Sequence, residues 1–257
     1  MSALIAGLAS ILVFCAPGYP GATQDAQPLV DAFAQAVDAT ANLPPGALTA
    51  VYDPTEAGGL QKLADANAVL AFVPFPFYVQ HGARLHLVVI AQADVTGVGT
   101  LEQWSLVVGK GHVTAPSGLA GYQLVSTAGY APAFVREFAL ADASLPADMP
   151  IAAAPQVLSV LRRAASGAPL AVLLDGEQTA SLATVPFAAD LQTLAKSPPL
   201  PVALIAVVDA RLKGARLDAM RAALLKLGSM PQHAQTLAAL RLRGFIAPQL
   251  PAQPLPP

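Results

Sequence analysis

Ile11-Leu-Val-Phe-Cys15, followed by Ala16-Pro-Gly-Tyr-Pro-Gly-Ala22, is the stretch that decides the fold. Five consecutive apolar residues without polar alternation are typical of a short strand covered on both faces. Glycine and proline then indicate a loop. Beyond the loop, apolar residues recur at helical spacing, which predicts a helix capped by Thr23 or Asp25 and ending near Ala39. The unit is therefore strand, loop and helix.

The same pattern repeats in the next fifty residues. Strands are predicted at Leu48 to Tyr52 and Ala68 to Val73, with a helix between them that Thr55 caps. A fourth strand is predicted at Leu85 to Ala91. Strands that alternate with helices pair in parallel through right-handed crossovers. This part of the chain therefore predicts an open α/β sheet.

A second unit begins near residue 103. Its predicted strands span 104–109, 122–125 and 170–174, and its predicted helices span 132–140, 156–165 and 176–182. A buried strand at 202–208 and two amphipathic helices at 216–228 and 231–241 follow. The proline-rich tail 248–257 is predicted to be extended or disordered.

Composition excludes several classes of protein. The 14 basic residues form no cluster and the net charge is −2, so we expect no nucleic-acid partner. No window reaches the ~20 unbroken apolar residues of a membrane-spanning helix, so we expect no direct membrane insertion. The apolar run Ala3 to Phe14 has no Lys or Arg before it and lacks the charged start of an export signal.

Metal, disulfide and cofactor sites are not predicted either. Cys15 is the single cysteine, which excludes an internal disulfide, and its apolar strand predicts a core residue. The four histidines lack the spacing of metal ligands. Glycine-rich phosphate loops, nucleophile elbows and zinc-protease motifs are all missing from the sequence. We therefore predict a protein without metal or cofactor that is not an enzyme.

The order of the segments resembles the type II periplasmic solute-binding proteins, in particular the phosphate/phosphonate-binding branch grouped with the sulfonate binders and transferrin. The resemblance runs from Ile11 to about Pro248. Five stretches carry it: Ala16–Thr23, Ala71–Tyr78, Gln103–Lys110, Leu119–Gly129 (similar to the family's L-x-G-K … S-T-S-G) and Leu200–Leu225.

This resemblance implies a two-lobed α/β fold whose lobes are joined by two crossing segments. Lobe one would hold residues 1–97 and 203–257, and lobe two residues 103–198. The protein would be a monomeric, periplasmic (extracytoplasmic) component of an ABC importer. It would close on a small ligand by hinge motion and deliver it to the permease. An enzyme of the thiamine-pyrimidine-synthase kind and a ligand-sensing domain remain the alternatives.

The strongest candidate site residues are Ser126, Thr127, Ala128 and Gly129. They follow a predicted strand and open a helix, where backbone amides and the helix dipole favour an anion. The resemblance implies that this position grips an oxyanion such as a phosphonate. Ala128 departs from the family pattern, which has a hydroxyl there. The alternative is an ordinary serine-rich helix cap.

The other candidates follow predicted strands of both lobes, at the edge where open α/β sheets bind ligands. Tyr19 and Thr23 lie after the first strand, Tyr52 ends the second, and Phe75 and Tyr78 follow the third. The aromatic residues among them suggest that the cleft has an aromatic wall. A tight turn and core packing are the alternatives.

Asp175 follows the buried strand of the second unit. The resemblance implies that a carboxylate in this segment holds the amino group of a ligand. This match rests on the position of the segment and not on a motif. The alternative role is capping of the next helix.

Overall fold

The computed structural model describes residues 10–18, 21–252 and 255. Its strands are β1 Ser10–Cys15, β2 Leu48–Asp53, β3 Ala68–Pro74, β4 Val88–Val95, β5 Leu101–Glu102, β6 Ser105–Gly109, β7 Gln123–Ser126, β8 Ile151–Ala153, β9 Leu170–Leu174, β10 Leu191–Lys196, β11 Leu200–Pro201, β12 Ala203–Val207 and β13 Leu242–Ile246. Its α-helices are α1 Thr23–Thr40, α2 Glu56–Leu63, α3 Phe75–His81, α4 Pro132–Phe134, α5 Leu158–Ala165, α6 Gly176–Ser181, α7 Gly214–Leu227 and α8 Ala234–Ala239.

Two separate sheets organise the chain into two lobes. The first lobe is built on a six-stranded sheet in the order β13-β4-β12-β3-β1-β2, and the second on a five-stranded sheet in the order β10-β6-β9-β7-β8. Helices pack on both sheets, with α1, α2, α7 and α8 on the first and α5 and α6 on the second. The predicted α/β fold class is confirmed.

Each sheet is mixed, and the crossings between the lobes explain why. β1, β2 and β3 pair in parallel, as do β7, β8 and β9. However, β12 begins beside the end of β3, with Ala203 opposite Pro74, and β6 begins beside the end of β9, with Ser105 opposite Leu174. A chain that arrives from the other lobe enters a sheet at the edge facing that lobe. It therefore runs antiparallel to the strands that end there.

The two crossings are tied to each other. β5 and β11 form a two-stranded antiparallel sheet in which Leu200 pairs with Glu102 and Pro201 with Leu101. The Ser197 hydroxyl also accepts a hydrogen bond from the Trp104 amide at 2.9 Å. The crossings therefore form one hydrogen-bonded unit between the lobes.

The hydrophobic core is continuous from one lobe to the other. In β1, Leu12 and Phe14 face α1 and α7, whereas Val13 and Cys15 face the opposite layer. This alternation is expected for a strand, because its successive side chains point to opposite faces of the sheet. The layer that contains Val13 and Cys15 also includes Leu173 and other core residues of the second lobe. The lobes are therefore packed against each other.

Several elements differ from the sequence prediction, and the strands β5, β8, β10 and β11 were not predicted. Residues 75–81 form α3, a helix that was not predicted; Pro76 lies in its first turn, where the missing amide hydrogen is tolerated. β4 begins at Val88 rather than Leu85, because the turn after α3 is closed by a hydrogen bond from the Leu87 amide to the Gly82 carbonyl. β13 was not predicted, since its five residues follow a helix that ends at Ala239.

One smaller expectation changes as well. The residue before α1 is Ala22, and no side chain caps that helix, so the predicted capping by Thr23 or Asp25 was wrong. The described part of the tail is attached to the first lobe: the Gln249 amide donates to Gln92 at 2.9 Å, and Leu255 packs on the core. Tail residues 253, 254, 256 and 257 lie outside the described residues.

Close packing of α2 on β1 makes a testable prediction. A Cβ added to Gly59 would overlap the Sγ of buried Cys15. Gly→Ala inside a helix normally stabilises it by up to about 1 kcal/mol, but here we expect Gly59→Ala to lower the free energy of unfolding by ~1–3 kcal/mol through overpacking. Urea denaturation measures the change. Adding Cys15→Ala should recover part of the loss, and a more stable Gly59→Ala protein would contradict the packing.

Candidate functional site: the interlobe cleft

The carboxyl ends of the parallel strands in the two lobes face each other across a cleft. A cavity of about 170 Å³ lies there, bordered by Pro17, Gly18 and Thr55 from the first lobe and by Thr127, Tyr130 and Pro155 from the second. We call it the strand-end cavity. Ligands of open α/β sheets bind at such strand ends. A small, open space therefore lies between the strand ends of the two lobes.

Ser126 fixes the turn that forms one wall of this cavity. Its side chain is fully buried, donates to the Leu173 carbonyl at 2.8 Å and accepts from the Ala128 amide at 3.1 Å. The Gly129 amide donates to the Ser126 carbonyl. Because these groups are bonded to one another, they offer the cleft no donor in this conformation. Gly129 is needed for a separate reason, since an added Cβ would overlap the Ala152 carbonyl.

Thr127 is the residue of this turn that reaches the other lobe. It borders the strand-end cavity and a smaller space of about 10 Å³ beside Pro74 and Trp104. A Cβ added to Gly18 would lie 2.6 Å from the Thr127 carbonyl oxygen, and Gly18 has a φ of +84°. The backbones of the two lobes therefore meet at Gly18 and Thr127, which only glycine allows at this distance.

The predicted aromatic wall is mostly part of the core. Phe75 is fully buried, with ring centroids 6.0 Å from Phe134 and 5.6 Å from Phe138 of the second lobe. Tyr52 and Tyr78 are buried among core residues, and burial raises the pKa of both phenols. Phe75 thus seals the lobes together instead of presenting a free face.

The remaining predicted residues are dispersed. Tyr19 lies outside the described residues, and Thr23 is exposed as the first residue of α1. Asp175 is the N-cap of α6: its carboxylate accepts from the Gln178 amide at 2.8 Å, and the Gln178 side chain accepts from the Asp175 amide. Burial raises the pKa of Asp175. The structure thus gives Asp175 the capping role that the sequence left as the alternative.

A second, larger space was not foreseen. It has a volume of about 590 Å³ and lies beside the crossings, bordered by Glu102, Ser105, Gly176, Thr179, Lys196 and Arg241, among others. We call it the crossing pocket. Glu102 is 6% exposed and accepts from the Gly176 amide at 2.8 Å. No motif marks these residues, because they come from four separate segments of the chain.

Glu102 is the most perturbed carboxyl group of the crossing pocket. Burial, together with the nearby carboxylates of Asp175 and Glu177, raises its pKa from 4.5 to about 7. The hydrogen bond from the Gly176 amide acts in the opposite direction. Glu102 is therefore partly protonated near neutral pH.

Polar contacts also join the lobes around the cleft. Arg241 of the first lobe pairs with Glu177 of the second at 3.0 Å, and the Ala133 amide donates to Gln80 at 3.3 Å. An apolar cavity of about 220 Å³ borders the Arg241–Glu177 pair from the side of Phe14 and Phe72. The ion pair therefore separates this apolar cavity from the crossing pocket.

Neither a metal-binding cluster nor a membrane-spanning helix is found among the described residues. Residues 10–18, 21–252 and 255 contain no group of three His, Cys, Asp or Glu side chains that could hold a metal ion. Among the helices of the same residues, none has the length and apolar character needed to cross a membrane.

Comparisons with known proteins support the fold. No protein-family model matches the chain, and no curated protein matches it in sequence. Among solved structures, XAC2383 from Xanthomonas citri bound to chloride ion aligns with a TM-score of 0.70 at 17% identity, over 95% of this chain and 93% of that one. The same protein has also been solved bound to ATP.

Two further structures belong to phosphonate-binding proteins. A binding protein component of an ABC phosphonate transporter from Pseudomonas aeruginosa aligns with a TM-score of 0.63 at 16% identity, over 93% of this chain and 82% of that one. PhnD1 from Prochlorococcus marinus, in complex with methylphosphonate, gives 0.58 at 14%, over 93% of each chain. At these identities the likeness concerns the fold, and the chain has the two-lobed α/β architecture of periplasmic binding proteins.

The hydrogen bonds of Ser126 predict a difference between two neighbouring substitutions. Ser126→Ala removes a buried hydroxyl with two partners and should lower the free energy of unfolding by ~1–3 kcal/mol. Thr127→Val keeps the side-chain shape and should change it by less than ~0.5 kcal/mol. Urea denaturation of both variants tests this. Equal losses would show that the Ser126 bonds do not hold the turn.

The raised pKa of Glu102 predicts a specific pH dependence. The folded state holds this proton up to about pH 7 and the unfolded state only to about 4.5, so the contribution of Glu102 to stability is full below pH 4.5 and falls as pH rises through 7. Each pKa unit corresponds to ~1.36 kcal/mol, so the free energy of unfolding falls by about 3 kcal/mol over this range. Glu102→Gln should remove it. Urea denaturation at pH 4.5, 6 and 8 compares the two proteins, and parallel curves would contradict the burial of this carboxyl.

Proposed function

We propose that the protein is the solute-binding component of an ABC importer outside the cytoplasm, and that it captures a small molecule in the interlobe cleft. The observation that carries the proposal is the strand-end cavity, which loops of both lobes border where Gly18 meets Thr127. The likeness of the fold to periplasmic binding proteins supports it. The protein acts as a monomer and hands its ligand to a permease.

Capture occurs by rotation of the lobes about the paired crossings. Lobe one comprises residues 1–97 and 203–257, lobe two residues 103–198, and the hinge is the β5–β11 pair. Closure is driven only by contacts that bridge both lobes. Gly18 and Thr127 make such a contact at the cavity itself.

The ligand is a small molecule that carries at most one charge at the strand-end cavity. Among the described residues, those that border the cavity include no lysine or arginine but do include Glu56, so a doubly charged phosphate finds no ionic partner with them. The hydroxyl of Thr127 and the backbone of the loops are the available polar groups. Oxyanions of low charge, such as phosphonate monoesters and sulfonates, are the first class to test.

Binding is favoured over catalysis by the state of the one cysteine. Burial, with Asp53 and Glu56 nearby, holds the pKa of the Cys15 thiol far above its usual value. A nucleophilic cysteine requires a lowered pKa and an accessible sulfur. Cys15 is fully buried, and its sulfur contacts the Thr55 carbonyl. It therefore serves as a core residue.

A thermal-shift screen tests the proposal directly. The purified protein is screened against phosphate, methylphosphonate, sulfonates, thiamine precursors and amino acids at millimolar concentration. A ligand of micromolar affinity should stabilise the protein by about 4 kcal/mol and raise Tm by several degrees. If no compound shifts Tm and calorimetry also detects no binding, the capture of a small molecule from these classes is contradicted.

Gly18 provides the matched variant for locating the binding site. Gly18→Ala places a Cβ against the Thr127 carbonyl and should weaken the best ligand of the screen at least tenfold, or about 1.4 kcal/mol. Gly46→Ala is the control, because Gly46 has a similar φ of +79° but open space around it. Isothermal calorimetry compares the two. Equal affinities would show that the ligand does not bind where Gly18 and Thr127 meet.

A further inference from the structure

A carboxylate and a histidine are paired at the border of the strand-end cavity. Glu56, in the first turn of α2, borders the cavity, and its side chain is 34% exposed. Its Oε1 lies 2.7 Å from Nε2 of His81, a buried residue at the end of α3. Among the described residues that border the cavity, Glu56 is the one with a charged side chain. The electrostatic potential in the cavity therefore depends on the Glu56–His81 pair.

The contacts of His81 fix which ring nitrogen carries the hydrogen. A guanidinium nitrogen of Arg84 lies 3.2 Å from Nδ1, and a guanidinium can only donate, so Nδ1 accepts. Nε2 of the neutral ring therefore carries the hydrogen and donates it to Glu56. A second proton must bind at Nδ1, where it displaces the exposed Arg84 side chain. Protonation thus keeps the hydrogen bond to Glu56 and converts it into an ion pair.

The other ionisable groups described around the pair keep their charge state between pH 5 and 8. Asp53 and Lys62 form an ion pair at 2.8 Å. Burial raises the pKa of the Cys15 thiol and of the Tyr52 and Tyr78 phenols, so all three stay neutral. The elements β3, β12 and α4, which also pack on α3, contain no ionisable side chain. Histidine is the side chain whose ordinary pKa falls in this range.

The surroundings of His81 keep its ring neutral at pH 7. Burial lowers the pKa of His81, the hydrogen bond to Glu56 raises it, and Arg84 acts in the same direction as burial. The net direction is downward, so the ring gains its second proton only in mildly acidic solution. With the ring neutral, the pair has the full negative charge of Glu56. With the ring protonated, the net charge of the pair is zero.

We propose that His81 controls, through Glu56, the charge of the ligand that the strand-end cavity accepts. With His81 neutral, the Glu56 carboxylate repels anions and the cavity favours an uncharged ligand. With His81 protonated, this repulsion is cancelled and the cavity also takes a small monoanion. His81 does not border the cavity, so it is a positioning residue that acts through Glu56. The inference rests on the proposed function, because it concerns the ligand of the same cavity.

Protonation of His81 and binding of an anion are thermodynamically linked. One unit charge close to the cavity changes the affinity for a monoanion about tenfold, or about 1.4 kcal/mol, at the effective dielectric constant near a protein surface. Because linkage is reciprocal, the bound monoanion raises the pKa of His81. A histidine that only packs α3 against α2 would show no response to the charge of the ligand.

The test uses the full chain and two probes of similar shape whose charge is constant between pH 5 and 8: methanesulfonate, a monoanion, and dimethyl sulfone, which is uncharged. Titration calorimetry in buffers free of other sulfonates should show that methanesulfonate binds about tenfold more tightly at pH 5 than at pH 8. Dimethyl sulfone should bind equally at both. NMR titration of the histidine rings should show that methanesulfonate raises the pKa of His81 and that dimethyl sulfone does not.

Glu56→Gln is the matched variant, because the amide oxygen of glutamine still accepts the hydrogen of His81 while the charge is removed. It should bind methanesulfonate at pH 8 about tenfold more tightly than the wild-type protein does, with dimethyl sulfone unchanged. Glu137→Gln is the control, since it removes an exposed carboxylate outside the cavity and should change neither affinity. If Glu56→Gln does not fold, the NMR titration of the wild-type protein still decides.

Several results would overturn the proposal. Binding of dimethyl sulfone together with equal affinity for methanesulfonate at pH 5 and 8 would refute the role of His81 and leave ligand capture standing. An unchanged pKa of His81 on binding, or equal affinity of Glu56→Gln and Glu137→Gln for methanesulfonate, would refute it as well. If neither probe binds to any of the three proteins at either pH, the role of His81 and the capture of such ligands at this cavity are both contradicted.

Discussion

Packing of Phe75 against Phe134 and Phe138 joins the two lobes, and the geometry of the cleft depends on it. The rings meet edge to face, an arrangement worth about 0.5–1.5 kcal/mol beyond burial. Trp104, at the start of the second lobe, packs on Phe134 with centroids 5.0 Å apart. Because Phe75 directly follows β3 and Phe134 closely follows the Ser126 turn, this contact brings the strand ends of both lobes together. The strand-end cavity is what remains between them.

The same packing restricts how the lobes move. Opening the cleft would expose Phe75, Phe134 and Phe138 to water, at roughly 25 cal/mol for each Å² of apolar surface. The Arg241–Glu177 pair and the paired crossings lie on the side of the crossing pocket. The lobes are thus held together by contacts within the chain itself, on the side of the aromatic rings and on the side of the crossings.

Local sequence patterns were sufficient for the parts of the fold that have strong periodicity. β1, β2, β3 and α2 were predicted nearly to the residue, because each combines an apolar pattern with a cap or a turn. The helix α3 was missed because two prolines in Pro74-Phe-Pro76 usually indicate a loop. The antiparallel directions of β6 and β12 were not predicted, because the direction of a strand depends on where a crossing chain enters the sheet, which no local pattern records.

The candidate site was only partly predictable for the same reason. The Ser126 turn was found from its sequence, but the sequence could not show that its hydroxyl is bonded inside the lobe. Phe75 was placed near the cleft, yet its contact residues lie sixty positions away. Glu102 gave no sequence indication, because its raised pKa arises from burial by segments around residues 176 and 200.

The position of β12 has a consequence for synthesis of the chain. It lies between β3 and β4, and the second lobe is encoded between β4 and β12. While the ribosome makes residues 105–196, β3 and β4 have no partner between them and present unpaired strand edges. Such edges are prone to wrong pairing with other chains. The first lobe can complete its sheet only after β12 and β13 have been made, so nascent chains stalled before Ala203 should expose these edges.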